Sequence, residues 1–270
     1  KKVKNIKKII FPKKNKVKEI IFELLKSPNL TSKKWIWEQY DHMVMCDTIK
    51  PPSYGAAVVR VHGTKKSLAI TTDCNSNYCK YDPFIGTVHA VSEARRNIIS
   101  TGAIPLAITN NLNFGNPEDK NIMGQFVMSI KGMINSCKKY SLPVISGNVS
   151  LYNETNKIGI SPTPVIGMVG LIKNRNFSDK KNLLKENDKI FLIGKKSNSL
   201  SCSSFLEKII LRNKKNLGPP PSLNYNEEIK NGNFVLDLFK SNLIKCCNDV
   251  SSGGLIVSLL KMLINKEFGA

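Results

Sequence analysis

The spacing of apolar residues predicts alternating helices and strands along most of the chain. The clearest helical pattern covers residues 121–140, where apolar side chains recur at the helical period. Shorter helical stripes lie at 17–26, 32–42, 87–100, 199–212, 227–244 and 255–264. Short apolar runs that predict strands lie at 56–61, 67–71, 105–109, 142–146, 165–172 and 189–194. This alternation predicts an α/β (α+β) fold.

Changes in composition divide the chain into three parts. Residues 1–30 form a basic lead-in or linker, and residues 31–180 hold most of the strand and helix signals. A polar stretch rich in Lys and Asn at 173–188 marks a boundary, after which a second α/β domain is expected over 186–270. We expect this second domain to be truncated, and the chain to be part of a longer protein.

Three predicted strands are followed by clusters of Asp, Asn, Ser and Gly. The clusters begin at Asp73, at Asn110 and at Gly147. If the strands share a sheet, these ends converge, which is where α/β folds place ligands. Asp and Asn oxygens suit Mg²⁺, a glycine lets a phosphate approach the backbone, and Ser150 offers a hydroxyl donor to a substrate oxygen. Ordinary turn chemistry explains the same residue types, so both interpretations stay open at this point.

The net charge is +21, from 41 Lys and Arg against 20 Asp and Glu. The lysines concentrate in 1–18 and 173–215 and are not interleaved with aromatic residues, which disfavours a nucleic-acid binder. Seven cysteines without metal-type spacing favour free thiols in a reducing cytoplasm. No apolar run is long enough for a membrane span. His42, His62 and His89 form no arrangement with Ser, Cys or Asp that predicts nucleophilic catalysis.

Several motifs resemble the second half of the formylglycinamidine ribonucleotide synthetase subunit of purine biosynthesis. They are YDHMV at 40–44, TDCN at 72–75, LNFGNPE at 112–118, SGNVSLYNE at 146–154, PTPVIGMVG at 162–170 and PPP at 219–221. The resemblance runs from about residue 20 to 270, and the nine-residue motif at 146–154 is the most specific part. It implies a domain like the N-terminal domain of aminoimidazole ribonucleotide synthetase at 31–180, followed by the start of the C-terminal α/β domain at 186–270.

In this family, ATP activates the amide of formylglycinamide ribonucleotide, and ammonia then forms formylglycinamidine ribonucleotide. The resemblance therefore implies an ATP-dependent C–N ligase with ATP and Mg²⁺ as cofactors. It also implies a cytoplasmic location and a glutaminase subunit or domain that supplies the ammonia. A small accessory subunit is compatible with the resemblance as a further partner. Neither nucleic acid nor membrane is an expected partner.

The resemblance also implies roles for four residues. Asn110 and Gly147 would bind ATP, Asn148 would hold the metal and Ser150 would contact the substrate. The family has an acidic residue where this chain has Asn110, so the charge at that position is lost. Residues 248–254, just before the last predicted helix, resemble a family motif that tends to read HDVSDGG, but this chain has Asn248 at its first place and Ser252 at its fifth. The catalytic histidines belong to the first half of the subunit, so none is expected here.

Three other functions remain open from the sequence. The chain could be a non-catalytic half that binds a structural nucleotide or a partner subunit, a hypothesis favoured by Asn110, Asn248 and the lack of a base. It could be another ATP-using member of the same superfamily, although the motif at 146–154 argues against this. The third alternative is the nucleic-acid binder that the charge distribution disfavours.

Overall fold

A computed structural model describes residues 12–52, 55–178, 184–195, 199–211, 217–264, 266 and 269. The α-helices are α1 (Val17–Leu25), α2 (Lys34–Trp37), α3 (Ser76–Tyr81), α4 (Pro83–Ile99), α5 (Lys120–Tyr140), α6 (Tyr225–Lys240) and α7 (Gly254–Leu263). The strands are β1 (Thr48–Lys50), β2 (Ala57–Arg60), β3 (Ser67–Asp73), β4 (Ile104–Asn113), β5 (Val144–Ser150), β6 (Glu154–Thr155), β7 (Ile158–Gly159) and β8 (Thr163–Ile172). Short 3₁₀ segments lie at Lys14–Lys16, Val44–Cys46 and Arg175–Phe177, and a π-helix at Leu206–Ile210.

Six strands form one mixed sheet in the order β1-β2-β3-β8-β4-β5. All neighbours are antiparallel except β4 and β5, which are parallel. Because β8 runs opposite to both β3 and β4, the strands β3, β4 and β5 share one direction. Their carboxyl ends therefore lie at the same edge of the sheet, as the sequence predicted.

Helices α4 and α5 cover one face of this sheet. The Asp82 side chain caps α4 by accepting the Ile85 N–H, and Pro83 occupies the first turn, where no intrahelical donor is lost. The apolar stripe of α4 buries Val91, Ala94 and Ile98 against Ile166 and Met168 of β8 and other strand residues. Burial of this stripe fixes α4 on the sheet, since apolar area removed from water is the main source of stability.

The carboxyl-terminal part of the chain packs on the outer side of α4. Phe239 of α6 is buried with Ile99, and Arg96 pairs with Glu228 of α6 at 3.0 Å. Val257 of α7 joins a separate cluster with Leu24 and Leu30 near the amino-terminal end. Segments far apart in the sequence therefore contribute to one packed body.

Most predicted elements are confirmed. The differences lie at the polar carboxyl ends of β4 and β5 and after residue 180. The polar residues lie inside the strands, because β4 continues to Asn113 and β5 to Ser150. The strand predicted at 189–194 is wrong, since those residues adopt no strand. Within the predicted helix at 199–212, the regular part is mainly a π-helix; Arg212 lies outside the described residues. The sequence missed α3, β1 and the β6–β7 hairpin.

The domain limits at 30, 180 and 186 stay predictions. Among the described residues, no helix has the length and apolar character to cross a membrane.

Candidate functional site

A row of residues crosses the sheet near the shared carboxyl edge. Asp73 of β3 and Asn110 of β4 both lie opposite Ile166 of β8, and Asn110 also lies opposite Gly147 of β5. Directly paired residues project from the same face of a sheet. Ile166 is buried in the helix-covered core, so Asp73 and Asn110 project toward the helices. Asn97 of α4 confirms this for Asp73 by donating to its Oδ2 at 3.1 Å.

Gly147 and Asn110 are in direct contact. A Cβ placed on Gly147 would lie 2.6 Å from Asn110 Oδ1, well inside van der Waals distance. Because residue 147 is a glycine and has no Cβ, the Asn110 amide can occupy this position. The structure thus brings together the two residues that the sequence assigned to ATP, and it gives the glycine a packing reason besides phosphate approach.

Asn148 and Ser150 project from the opposite face, because successive side chains of a strand alternate between faces. On that face β4 and β5 carry three polar cross-strand pairs, here called the polar ladder: Thr109 with Ser146, Asn111 with Asn148, and Asn113 with Ser150. The hydroxyls of the first pair are 2.7 Å apart, and Asn148 Nδ2 donates to Asn111 Oδ1 at 3.1 Å. The four predicted site residues are therefore divided between the two faces, two on each.

The position of β5 at the end of the sheet keeps both faces within reach of one ligand. In the described sheet no strand pairs with the outer edge of β5, and its side chains are exposed from Val144 to Val149. A ligand lying along this edge can contact Gly147 from one face and Asn148 from the other. Asp73, by contrast, is three strands from β5, about 14 Å at ordinary strand spacing. It therefore does not join the same cluster, contrary to the convergence expected from the sequence.

The Ser150 hydroxyl has a defined partner in the loop after β5. Its Oγ donates to Asn153 Oδ1 at 3.2 Å, while Asn153 Nδ2 donates to the main-chain carbonyls of Phe114 and Ser150. Both side chains are half-buried. The sequence expected Ser150 to donate toward a substrate, but the structure directs its hydrogen into the protein.

The residues at this edge fit a magnesium ion that keeps most of its water. The described residues contain no group of three His, Cys, Asp or Glu side chains that could hold a metal. Asn148 is exposed and its amide nitrogen donates to Asn111, so its Oδ1 is the atom that it can offer to a cation. One amide oxygen together with water and phosphate oxygens matches the usual Mg²⁺ environment.

A second polar group, the acid cluster, lies half-buried at the carboxyl end of β3. It comprises Asp73, Glu93, Arg96 and Asp249, from β3, α4 and the segment before α7. Burial, and then the negative charges of Glu93 and Asp249, raise the pKa of Asp73 to about 9. Burial also raises the pKa of Glu93. Sequence spacing offered no signal for this cluster, because its members are up to 176 positions apart (249 − 73).

The side chains of His62 and His89 have partners within the protein. His62 Nε2 lies 2.7 Å from Asp47 Oδ1, and His89 Nε2 lies 2.8 Å from the Pro221 carbonyl oxygen. Burial lowers the pKa of His89. Each of these two side chains therefore has a structural partner.

Comparison with known proteins gives a consistent picture. Residues 54–172 match the family described as AIR synthase related protein, N-terminal domain. The chain is 46% identical over 254 residues to phosphoribosylformylglycinamidine synthase subunit PurL of Azorhizobium caulinodans, and 48% identical over 260 residues to that of Pelagibacter ubique. Each alignment covers 94% of this chain and 34% of the relative. The chain thus spans about a third of the length of these relatives.

Solved structures of the same kind are also similar. PurLQS from Thermotoga maritima matches 56% of this chain and 25% of its own, with a TM-score of 0.52 and 37% identity. T. maritima PurL complexed with ATP matches 55% of this chain and 24% of its own, with a TM-score of 0.50 and 35% identity. T. maritima PurL complexed with ADP matches 58% and 26%, with a TM-score of 0.51 and 36% identity. By sequence, the chain is therefore similar over 94% of its length to phosphoribosylformylglycinamidine synthase PurL subunits, and its residues 54–172 match the AIR synthase related N-terminal domain.

Proposed function

We propose that this chain is part of an ATP-dependent ligase that converts formylglycinamide ribonucleotide and ammonia to formylglycinamidine ribonucleotide. The main support is the carboxyl end of β5 at the outer edge of the described sheet, where Gly147 and Asn148 are exposed and Ser150 is half-buried. The similarity to phosphoribosylformylglycinamidine synthase PurL subunits over 94% of the chain supports the same reaction. Related structures complexed with ATP and with ADP support the nucleotide.

Each residue at the β5 edge has a task in this reaction. Asn110 and the open backbone at Gly147 bind the nucleotide, and Asn148 would hold the metal through its amide oxygen. ATP, when bound, would supply the phosphoryl group that turns the substrate amide oxygen into a leaving group, and Mg²⁺ would neutralise the charge of the phosphates. Ser150 orients the ribonucleotide so that ammonia can displace that group.

The remaining parts of the reaction come from outside this segment. The side chains of His62 and His89 are bonded to Asp47 and Pro221, which supports the expectation that the catalytic histidines lie in the other half of the subunit. A glutaminase subunit or domain supplies ammonia, and a small accessory subunit can join the assembly. The buried thiols of Cys79, Cys137 and Cys202 suit the reducing cytoplasm in which we place the protein.

The test is ammonia-dependent ADP formation by the full-length protein with formylglycinamide ribonucleotide. Asn148→Ala and Ser150→Ala should each lower kcat/KM at least about tenfold, the effect of losing one good contact to a charged or polar group. Asn174→Ala is the matched control, because it loses an exposed side-chain to main-chain bond after β8, at the end of the sheet opposite the carboxyl edge. Unchanged turnover in both site variants would refute these roles. ATP binding without turnover in the wild type would favour the non-catalytic half.

A further inference from the structure

Asn153 is anchored firmly beside Ser150. Its main-chain N–H donates to the Phe114 carbonyl at 3.1 Å, and its own carbonyl accepts the Ile160 N–H at 3.0 Å. The preceding Tyr152 adopts a left-handed conformation with φ of 58° and bonds to the Gly115 carbonyl. Phe114 is itself 1% exposed and packs edge-on against Phe126, with ring centroids 5.2 Å apart. The Asn153 side chain therefore starts from a fixed backbone.

The hydrogen bonds of the Asn153 side chain fit only one placement of its amide oxygen and nitrogen. Its NH₂ group has two hydrogens, and the carbonyls of Ser150 and Phe114 lie 2.8 Å and 3.0 Å from Nδ2. A flipped amide would place Oδ1 at 2.8 Å and 3.0 Å from the two carbonyl oxygens, where acceptors face one another with no hydrogen between them and repel. The orientation is thus set by the main chain.

This orientation decides where the Ser150 hydrogen goes. Ser150 Oγ lies 3.1 Å from Nδ2 and 3.2 Å from Oδ1 of Asn153. Because both NH₂ hydrogens are already taken by the shorter bonds to carbonyls, the nitrogen has none left for the hydroxyl. The hydroxyl instead donates to Oδ1, and its oxygen keeps both lone pairs to accept hydrogen bonds from the solvent side.

We propose that Asn153 is a positioning residue for Ser150, holding its hydroxyl hydrogen so that the oxygen accepts from an O–H or N–H group of the substrate. This inference rests on the proposed function, since it takes Ser150 as a substrate contact. It limits which chemical groups of the ribonucleotide can face Ser150. A hydroxyl of the ribose or an amide N–H fits, whereas a phosphate oxygen, which itself needs a donor, does not.

Calorimetric binding of formylglycinamide ribonucleotide to the full-length protein tests the positioning role. Ser150→Ala and Asn153→Leu should each weaken binding about three- to tenfold, the usual effect of one neutral hydrogen bond. The double variant should be no weaker than Ser150→Ala alone, because residues that act as one unit are not additive. Asn174→Ala, which loses a similar bond at the far end of the sheet, should bind as the wild type does.

Asn153→Asp separates positioning from structural support. The carboxylate still accepts the Ser150 hydrogen but cannot donate to the two carbonyls, so the unfolding temperature should fall while affinity stays within about twofold. A merely structural Asn153 predicts the reverse: Asn153→Asp would bind as weakly as Asn153→Leu, and the effect of Asn153→Leu would add to that of Ser150→Ala. Either result overturns the inference.

Substrate analogues test the donor class without any change at Asn153. Wild type and Ser150→Ala should bind with equal affinity an analogue that lacks the contacting hydroxyl, or one that carries a methyl in place of the contacting amide hydrogen. For the analogue without phosphate, Ser150→Ala should still bind more weakly than wild type. A loss that disappears only when the phosphate is removed would contradict the donor assignment. If Ser150→Ala binds the intact ribonucleotide normally, the site in the proposed function is wrong; if it binds weakly while Asn153→Leu does not, only the positioning role fails.

Discussion

At the scale of single residues, the contact between Gly147 and Asn110 links a packing constraint to the nucleotide site. The three atoms nearest to a methyl group added at 147 all belong to the Asn110 amide, the closest at 2.6 Å. The neighbour is thus the end of a flexible side chain, which can rotate away. A side chain at 147 would therefore displace Asn110 before it strained the sheet.

Gly147→Ala should consequently lower nucleotide affinity more than stability. We expect a free energy of unfolding lowered by about 1 kcal/mol, the cost of holding one side chain away from its preferred rotamer. Removing the obstructing amide in Asn110→Ala/Gly147→Ala should restore that stability. ATP affinity, measured by calorimetry, should fall to the same level in Gly147→Ala and Asn110→Ala. A Gly147→Ala protein that binds ATP normally would show that Asn110 is not a nucleotide contact.

At the scale of elements, α5 packs closely against the start of α4. These two helices cover the face of the sheet from which Asn110 projects. A Cβ on Gly132 of α5 would lie 2.4 Å from the Phe84 main-chain oxygen in the first turn of α4. Backbone cannot rotate away as the Asn110 amide can. Gly132 therefore sets the distance between two helices that cover the core.

Gly132→Ala should destabilise the protein by about 1–3 kcal/mol, the range for overpacked cores. Gly124→Ala in the same helix is the control, because it has no atom within 4 Å of an added Cβ. That change should stabilise the helix by roughly 0.5–1 kcal/mol through its better helix propensity. Denaturant unfolding of both variants measures the contrast. Equal effects in the two variants would mean that α4 and α5 are not in this tight contact.

At the scale of the whole molecule, the acid cluster joins β3, α4 and the segment before α7. Burial, Glu93 and Asp249 raise the pKa of Asp73 to about 9, while Arg96 opposes the rise. Burial lowers the pKa of Arg96. The negative charges of Glu228, Glu93 and Asp249 raise this pKa by more than burial lowers it, so the net shift is upward. Folding therefore brings together charges that are far apart in an unfolded chain, and stability becomes sensitive to pH.

The sign follows from proton uptake. Between the ordinary pKa of 3.8 and about 9, the folded protein keeps a proton on Asp73 that the unfolded chain releases. This contribution to stability is complete at low pH and is lost as the pH rises through that window, at up to about 1.4 kcal/mol per pH unit for one proton. Asp73→Asn cannot ionise and can still accept from Asn97. Its stability relative to the wild type should therefore increase from about pH 5 to about pH 8.5 in denaturant unfolding.

Asp237→Asn controls for the loss of one negative charge, because Asp237 is an exposed residue of α6 that pairs with Lys240 at 3.0 Å. We expect no comparable trend with pH in that variant. A difference between Asp73→Asn and wild type that stays flat over the range would contradict the raised pKa of Asp73.

The main helices, the core strands and the family motifs follow from the sequence alone. The 121–140 stripe predicted α5 almost to the residue, since an amphipathic period leaves few alternatives for a long helix. Prediction failed where polar residues continue a strand, as at Asn110–Asn113, because a ladder of main-chain hydrogen bonds does not depend on side-chain polarity.

Which polar residues meet depends instead on tertiary contacts. Strand order places Asp73 three strands from Gly147, and side-chain alternation puts Asn110 and Asn148 on opposite faces of the sheet. Local pattern cannot reveal this, because pairing and register depend on contacts between segments far apart in the chain. The same contacts bring Asp249 to Asp73 and turn the Ser150 hydroxyl toward Asn153.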